Sequence, residues 1–255
     1  MTRMEEYLKG RISLKLVLFF SVVSVCVVFL PACKKDIAPS TKTWGKIEEY
    51  YPLAIGNKLT YQVDSIYFND FDGSIDTTYF QVTELYADTF VDIEGRINYR
   101  LERYYQYKKN EADSYSDIPS YLKDVWFVTQ TPATIERIEE NVRFINLNHP
   151  IGEGREWDGN AFNFLNKWEY YYESFELEKG DYANTVTVNR KLDSNVIRYR
   201  NAYQVFAKGV GMVEYYHIDV EDDRPTSSAL VPILDRIYRG TIVHYKLVDY
   251  QVSNE

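Results

Sequence analysis

From residue 48 onward the apolar residues recur at every second position over short runs, and no helix-length window carries a 3.6-residue spacing. Leu59, Tyr61 and Val63 alternate with Thr60 and Gln62, and Ile97, Tyr99, Leu101, Arg103 and Tyr105 recur with the same period. Such alternation presents one strand face to a core and the other to water. Extended character also marks residues 75–86, 90–93, 124–128, 133–138, 142–147, 168–175, 185–188, 203–207, 213–218 and 236–250. The links between these runs carry turn residues, among them 69–73, Glu94-Gly95-Arg96 and Glu139-Glu140-Asn141. Roughly ten to thirteen strands at spacings of about 8 to 14 residues predict an all-β fold. The expected form is a single antiparallel meander making a curved sheet, half-barrel or sandwich. Parallel pairing would need crossover helices, for which the chain has no room. The best helical candidate, 161–167, is short.

The chain before this region is of another kind. Arg3, Lys9, Arg11 and Lys15 outnumber Glu5 and Glu6 by two, and an apolar run follows from Leu16 to Leu30, broken only by Ser21 and Ser24. As a helix those fifteen residues would reach about 22 Å, short of the roughly 30 Å of a bilayer core. The run stops at Pro31, then Ala32, Cys33 and the pair Lys34-Lys35. It reads as a cleavable signal helix and not as a span.

Leu30-Pro31-Ala32-Cys33 resembles the lipobox of bacterial lipoproteins, in which the cysteine is alkylated with diacylglycerol and becomes the new N-terminus. Pro31 departs from the Ala, Ser, Val or Thr more usual in its slot. The resemblance implies lipid attachment, with palmitate-type chains, at Cys33. The expected division is a signal peptide over 1–32, a lipidated cysteine and flexible tether over 33–47, and an antiparallel β domain over 48–255. Several acyl chains at about 0.8 kcal/mol per buried methylene would hold such a body durably to a membrane.

Cys26 lies in the leader, so Cys33 is the only cysteine of the expected mature chain, and no disulfide can form within it. A chain this long can bury a core without such staples. The formal net charge is −9 and becomes more negative once the basic leader is removed. Nucleic acid is excluded as a partner on those grounds. Tyr 24, Phe 13 and Trp 4 make 16% of the residues, a ring content that suits half-buried strand faces and contacts to sugars or peptides.

Three phrases resemble those of uncharacterised Bacteroidetes-type envelope lipoproteins. They are Tyr51-Pro52-Leu53-Ala54-Ile55-Gly56-Asn57, Gly154-Arg155-Glu156-Trp157-Asp158-Gly159-Asn160 and Lys208-Gly209-Val210-Gly211. The resemblance implies a bacterial cell-envelope address, at the outer membrane, and brings no activity or catalytic residue with it. The segments beginning at Tyr51 and His149 also rhyme, each placing Pro-aliphatic before Gly at the entry to a strand.

Motifs for chemistry are sparse. His149, His217 and His244 stand at no metal-ligand spacing from one another. His217 precedes Asp219, Glu221, Asp222 and Asp223, which read as a solvated hairpin tip. Residues 69–73 lack the later glutamate of a calcium loop. No serine sits in a Gly-x-Ser-x-Gly elbow, and Lys208-Gly209-Val210-Gly211 lacks a third glycine for a phosphate loop. No catalytic residue, metal or cofactor is expected. The densest aromatic stretch supplies the candidate binding residues Trp157, Trp168, Tyr170 and Tyr172, with Tyr170 and Tyr172 on one strand face and Tyr171 on the other. If one face is exposed it would make a platform for sugar rings. The expectation is a lipid-anchored, non-enzymatic binding or scaffold module, with the membrane, a glycan or another envelope protein as partner. One alternative is a carrier of lipid or other apolar cargo in an open half-barrel, and another is a glycan-acting hydrolase with two dispersed carboxylates.

Overall fold

The computed structural model describes residues 43–108, 114–115, 121–224 and 230–253. The expected signal helix, the lipid-attachment residue Cys33 and most of the expected tether lie outside the described residues. Residues from Thr41 onward form a compact unit of their own. Its elements are β1 (Thr43–Gly45), α1 (Ile47–Tyr50), β2 (Lys58–Phe68), β3 (Ile75–Val91), β4 (Ile97–Lys108), β5 (Tyr121–Gln130), β6 (Thr134–Glu139) and β7 (Val142–Asn148). There follow β8 (Ile151–Gly152), β9 (Glu156–Asp158), β10 (Glu169–Lys179), β11 (Tyr182–Ser194), β12 (Arg198–Ala207), β13 (Gly211–Glu221) and β14 (Arg239–Gln251). A short 3₁₀ turn at Ile233–Asp235 precedes the last strand.

Twelve strands make one antiparallel sheet in the order β7-β6-β5-β4-β3-β2-β14-β13-β12-β11-β10-β9. Each strand pairs with its neighbour in sequence except at the junction of β2 with β14, where the first and last strands of the meander meet. The period-two reading is visible in β2, where Leu59, Tyr61 and Val63 are buried and the intervening residues are partly exposed. Tight turns hold the register. Glu140 (φ 48°) and Asn141 (φ 67°) form a two-residue link between β6 and β7, with the paired positive φ values of a primed hairpin turn.

The two sheet edges come together. The Ile145 amide of β7 donates to the Gly159 carbonyl at 3.0 Å, and Trp157 Nε1 of β9 donates to the Ile145 carbonyl at 3.0 Å. The sheet is thereby nearly closed into a barrel. About eight strands enclose only as much space as their own side chains fill. Twelve enclose more, and two things occupy the surplus: the N-terminal segment and a cavity.

The N-terminal segment accounts for one end of the interior. Ile47, Tyr50 and Tyr51 are almost wholly buried, and Tyr51 packs on Phe206 at 6.0 Å between ring centroids. Trp44 stacks on Phe175 at 5.9 Å, β1 pairs with β8, and the Gly209 amide donates to the Glu49 carbonyl at 2.7 Å. Each fully buried ring of this plug contributes about 1.5 to 3 kcal/mol from apolar surface removed from water. The folded body therefore includes Thr43–Gly45, inside the stretch expected to be a flexible tether.

Two further expectations are corrected. Residues 161–167 form turns and bends, because polar side chains capture the backbone. Asn160 Nδ2 donates to the Asn166 carbonyl at 2.7 Å, Asn163 Nδ2 to the Arg143 carbonyl at 2.7 Å, and the Leu165 amide to Asn163 Oδ1 at 2.8 Å. Residues 75–86 and 90–93, read as separate runs, belong largely to the single strand β3, which continues through a register shift between Tyr86 and Asp88.

Candidate functional site

The inward face of the barrel is not uniformly apolar. In β3, Glu84 lies between inward Val82 and Tyr86, and register places it opposite Arg103 of β4, which in turn lies opposite Asp124 of β5. Arg137 of β6 is paired with inward Val128. Across the barrel, Arg190 of β11 lies between Tyr170 of β10 and Ala202 of β12 in the same row. Gln204, Tyr215 and Tyr245 continue a row through β12, β13 and β14. Between these walls lies a cavity of about 270 Å³. Its lining includes Arg103, Arg137 and Arg190, the rings of Trp126 and Tyr215, and the carboxylate of Glu139.

On the β3–β6 wall the guanidinium groups are matched. Arg103 Nε donates to Glu84 Oε1 at 3.0 Å, with both side chains 4% exposed, and Arg137 Nη2 donates to the same oxygen at 3.3 Å. Arg137 Nε lies 2.9 Å from Glu139 Oε1, without the alignment of a hydrogen bond. Arg103 Nη1 donates to the Tyr105 hydroxyl at 2.6 Å, which donates to Asp124 Oδ2 at 2.6 Å. Both guanidiniums sit over Trp126, at 3.7 Å and 4.3 Å from the ring centroid. Burying a charge is costly unless paired, and here the pairing is nearly complete.

The β10–β13 wall differs. Among the described residues no carboxylate lies within ion-pair distance of Arg190, and its Nε has no hydrogen-bond partner. Its guanidinium is surrounded by rings, 4.6 Å from Tyr170, 5.0 Å from Trp168 and 5.6 Å from Tyr215. Arg200 lies 3.4 Å over Trp168, its Nε also unpartnered, and burial pulls its pKa down. Cation–π contacts of this sort return about 0.5 to 2 kcal/mol each, less than a matched carboxylate. His217 shares the wall, and burial, with Arg190 and Arg200 adding to it against Asp219, pushes its pKa down to about 4. Gln204, 5% exposed, leaves its carbonyl oxygen unpartnered beside the cavity.

The four aromatic residues singled out in the sequence come together. Trp157 is 4.9 Å from Tyr172 and 5.8 Å from Tyr170, and Trp168 is 6.2 Å from Tyr170. They are buried on the inward face, so they form no exposed platform, and Tyr171 alone points outward. Tyr170 and Trp168 instead form the aromatic shoulder of Arg190. The acidic residues after His217 are also not a free solvated tip. Asp222 is fully buried between Arg224 (2.7 Å) and Arg236 (2.9 Å), and Glu221 pairs with Arg239 at 2.8 Å. His149 is exposed beside Pro150, and His244 meets Glu214 at 2.8 Å on the other side of the sheet from the cavity.

The three recurring phrases have structural work. Asn57 is buried and its Nδ2 donates to the Pro52 carbonyl at 3.1 Å. A Cβ on Gly159 would stand 2.4 Å from the Tyr170 ring, and Gly209 has φ +76° where its amide meets Glu49. Comparison with protein-family models gives no match, and comparison with curated proteins gives none either.

The arginines and Glu84 were missed as site residues although a signal for them exists. Each is a charged residue in phase with the buried face of its strand: Glu84 with Val82 and Tyr86, Arg103 with Leu101, Arg190 with Val186 and Val188.

Proposed function

We propose that this chain is an outer-membrane lipoprotein, held by acyl chains on Cys33, whose barrel is a non-catalytic receptor for a small polar ligand taken into the interior cavity. The observation that carries the reading is a cavity of about 270 Å³ walled by three guanidiniums and several aromatic rings inside a barrel that is otherwise packed. That size is slightly below the common range of about 300 to 1,000 Å³ for small-molecule pockets, so the ligand is of monosaccharide scale. The carboxylates near the cavity favour binding over hydrolysis. Glu84 and Glu139 each already face a guanidinium, which holds them as carboxylates and suits neither to the role of a protonated general acid. An apolar cargo is disfavoured by the same wall, since an alkyl chain there would strip water from charged groups without replacing its hydrogen bonds.

Two measurements test the reading. Mass spectrometry of protein extracted from membranes is expected to give an N-terminal peptide beginning at Cys33 and carrying acyl groups, and an unmodified Cys33 would overturn the anchor. A thermal-shift screen of small polar metabolites is expected to find compounds that raise the Tm of the wild type but not of Asn146→Phe, which fills the cavity. A screen without such a compound would overturn the receptor.

A further inference from the structure

The charges around the cavity are unequal in a way that specifies a ligand. Three guanidiniums and one carboxylate line it. Two of those guanidiniums are engaged by Glu84, Glu139 or Asp124, at distances from 2.9 to 3.8 Å. Arg190 is the one lining cation with no carboxylate within ion-pair distance among the described residues: three rings and the Tyr215 hydroxyl stand against it, and Glu139 acts on it only from beyond that distance. A single negative charge placed beside Arg190 would complete the pairing, in the planar fork geometry that suits a carboxylate. The second charge of a doubly charged anion would find the other two lining guanidiniums already engaged by Glu84 and Glu139. A cationic ligand would face three guanidiniums.

The remainder of the lining is suited to hydroxyl groups and a compact ring. Gln204 has an unpartnered carbonyl oxygen, Asn146 supplies an amide, and Glu139 keeps acceptor capacity. Tyr215, Tyr245 and Phe144 supply flat apolar surface against which a saturated ring can lie.

We infer that the cavity takes a small monocarboxylate bearing hydroxyl groups, of sugar-acid size, with its carboxylate on Arg190 and its hydroxyls toward Gln204, Asn146 and Glu139. This rests on the receptor reading above and narrows it to a chemical class.

Isothermal titration calorimetry on the full mature protein in detergent, with D-glucuronate, D-glucose and inorganic phosphate as probes, tests it. Glucuronate is expected to bind, with glucose and phosphate each weaker by about tenfold or more. Arg190→Gln is expected to weaken glucuronate by about tenfold to a hundredfold, Arg190→Lys less, and Arg239→Gln, a surface ion-pair change, not at all. Unchanged melting of Arg190→Gln in the absence of probe shows that it folds. Equal binding of glucose and glucuronate, tighter binding of phosphate, or full retention by Arg190→Gln would each overturn the inference. In those cases loss of the same binding in Asn146→Phe leaves the receptor standing, whereas retention there sinks both. Absence of binding by every probe overturns the sugar-acid assignment, and the metabolite screen then judges the receptor separately.

Discussion

Opposite walls of the cavity bury guanidinium groups by different means. On the β3–β6 wall Arg103 and Arg137 are matched to carboxylates and share the face of Trp126, whereas on the β10–β13 wall Arg190 and Arg200 rest on Tyr170 and Trp168 with no acidic partner for Arg190. The first arrangement resembles a finished core. The second keeps a charge that the folded body does not neutralise, and such unfinished pairing is what a ligand can complete. The difference teaches where stability and recognition separate: the matched wall holds the barrel, and the unmatched wall waits for an anion.

Breaking the matched wall should have the largest effect. Glu84→Gln leaves two buried guanidiniums without their shared negative charge and is expected to lower unfolding free energy by about 3 to 5 kcal/mol, read from urea denaturation. A loss below about 1 kcal/mol, the scale of an exposed pair, would mean that the wall is wetter than its burial implies.

Acid should act next, through the unmatched wall. His217 has a folded pKa of about 4, below its ordinary value of 6.5. Between those values the unfolded chain binds the proton and the folded chain does not, so stability falls as pH drops from about 6.5 to about 4. Allowing for partial exposure the loss is on the order of 2 kcal/mol. Denaturation curves across that window are expected to flatten in His217→Gln, and an unchanged slope would remove His217 from the wall's charge balance.

The sharpest contrast is one of sign. Replacing Arg190 by Met removes a buried cation that has no acid to orphan, and is expected to raise the stability of the ligand-free protein by about 1 kcal/mol. Arg103→Met is expected to lower it, because Glu84 loses its closest partner. If both substitutions destabilise equally, the walls are alike. The smallest effect is expected at the barrel seam, where Tyr172→Phe deletes only the hydroxyl that donates to the Asn148 carbonyl at 2.7 Å, a bond worth about 1 kcal/mol. Faster hydrogen exchange of the Ile145 amide would register it.

Much of the fold was legible because a half-buried strand writes its burial at period two, as β2 and β4 do with Leu59-Tyr61-Val63 and Leu101-Arg103-Tyr105. The hairpin order followed from short links such as 139–141. The seam was not legible, since Ile145 and Gly159 meet only after twelve strands have set the circumference. Nor was the pairing of Thr43–Gly45, which is too short to show a period and pairs with a two-residue strand far along the chain. The aromatic cluster was found but its direction was not, because alternation tells which residues share a face and not which face is inside. Arg103 shows the limit from the other side: it stood in phase with Leu101, and only the opposed carboxylate of Glu84 explains why a charge can stand there.

The plug described for one end of the barrel has a consequence in time. Residues 43–51 leave the ribosome, and in the expected route cross the membrane, before the segments they pack against. Ile151, Phe175, Phe206 and Gly209 all come at least a hundred positions later. The first turn of the body is therefore among the last to find its place, and a nascent chain must carry its buried tyrosines exposed until the far strands arrive. Distant partners of this kind slow folding and lengthen exposure to aggregation, so a chaperone in transit would have its strongest grip on this opening stretch.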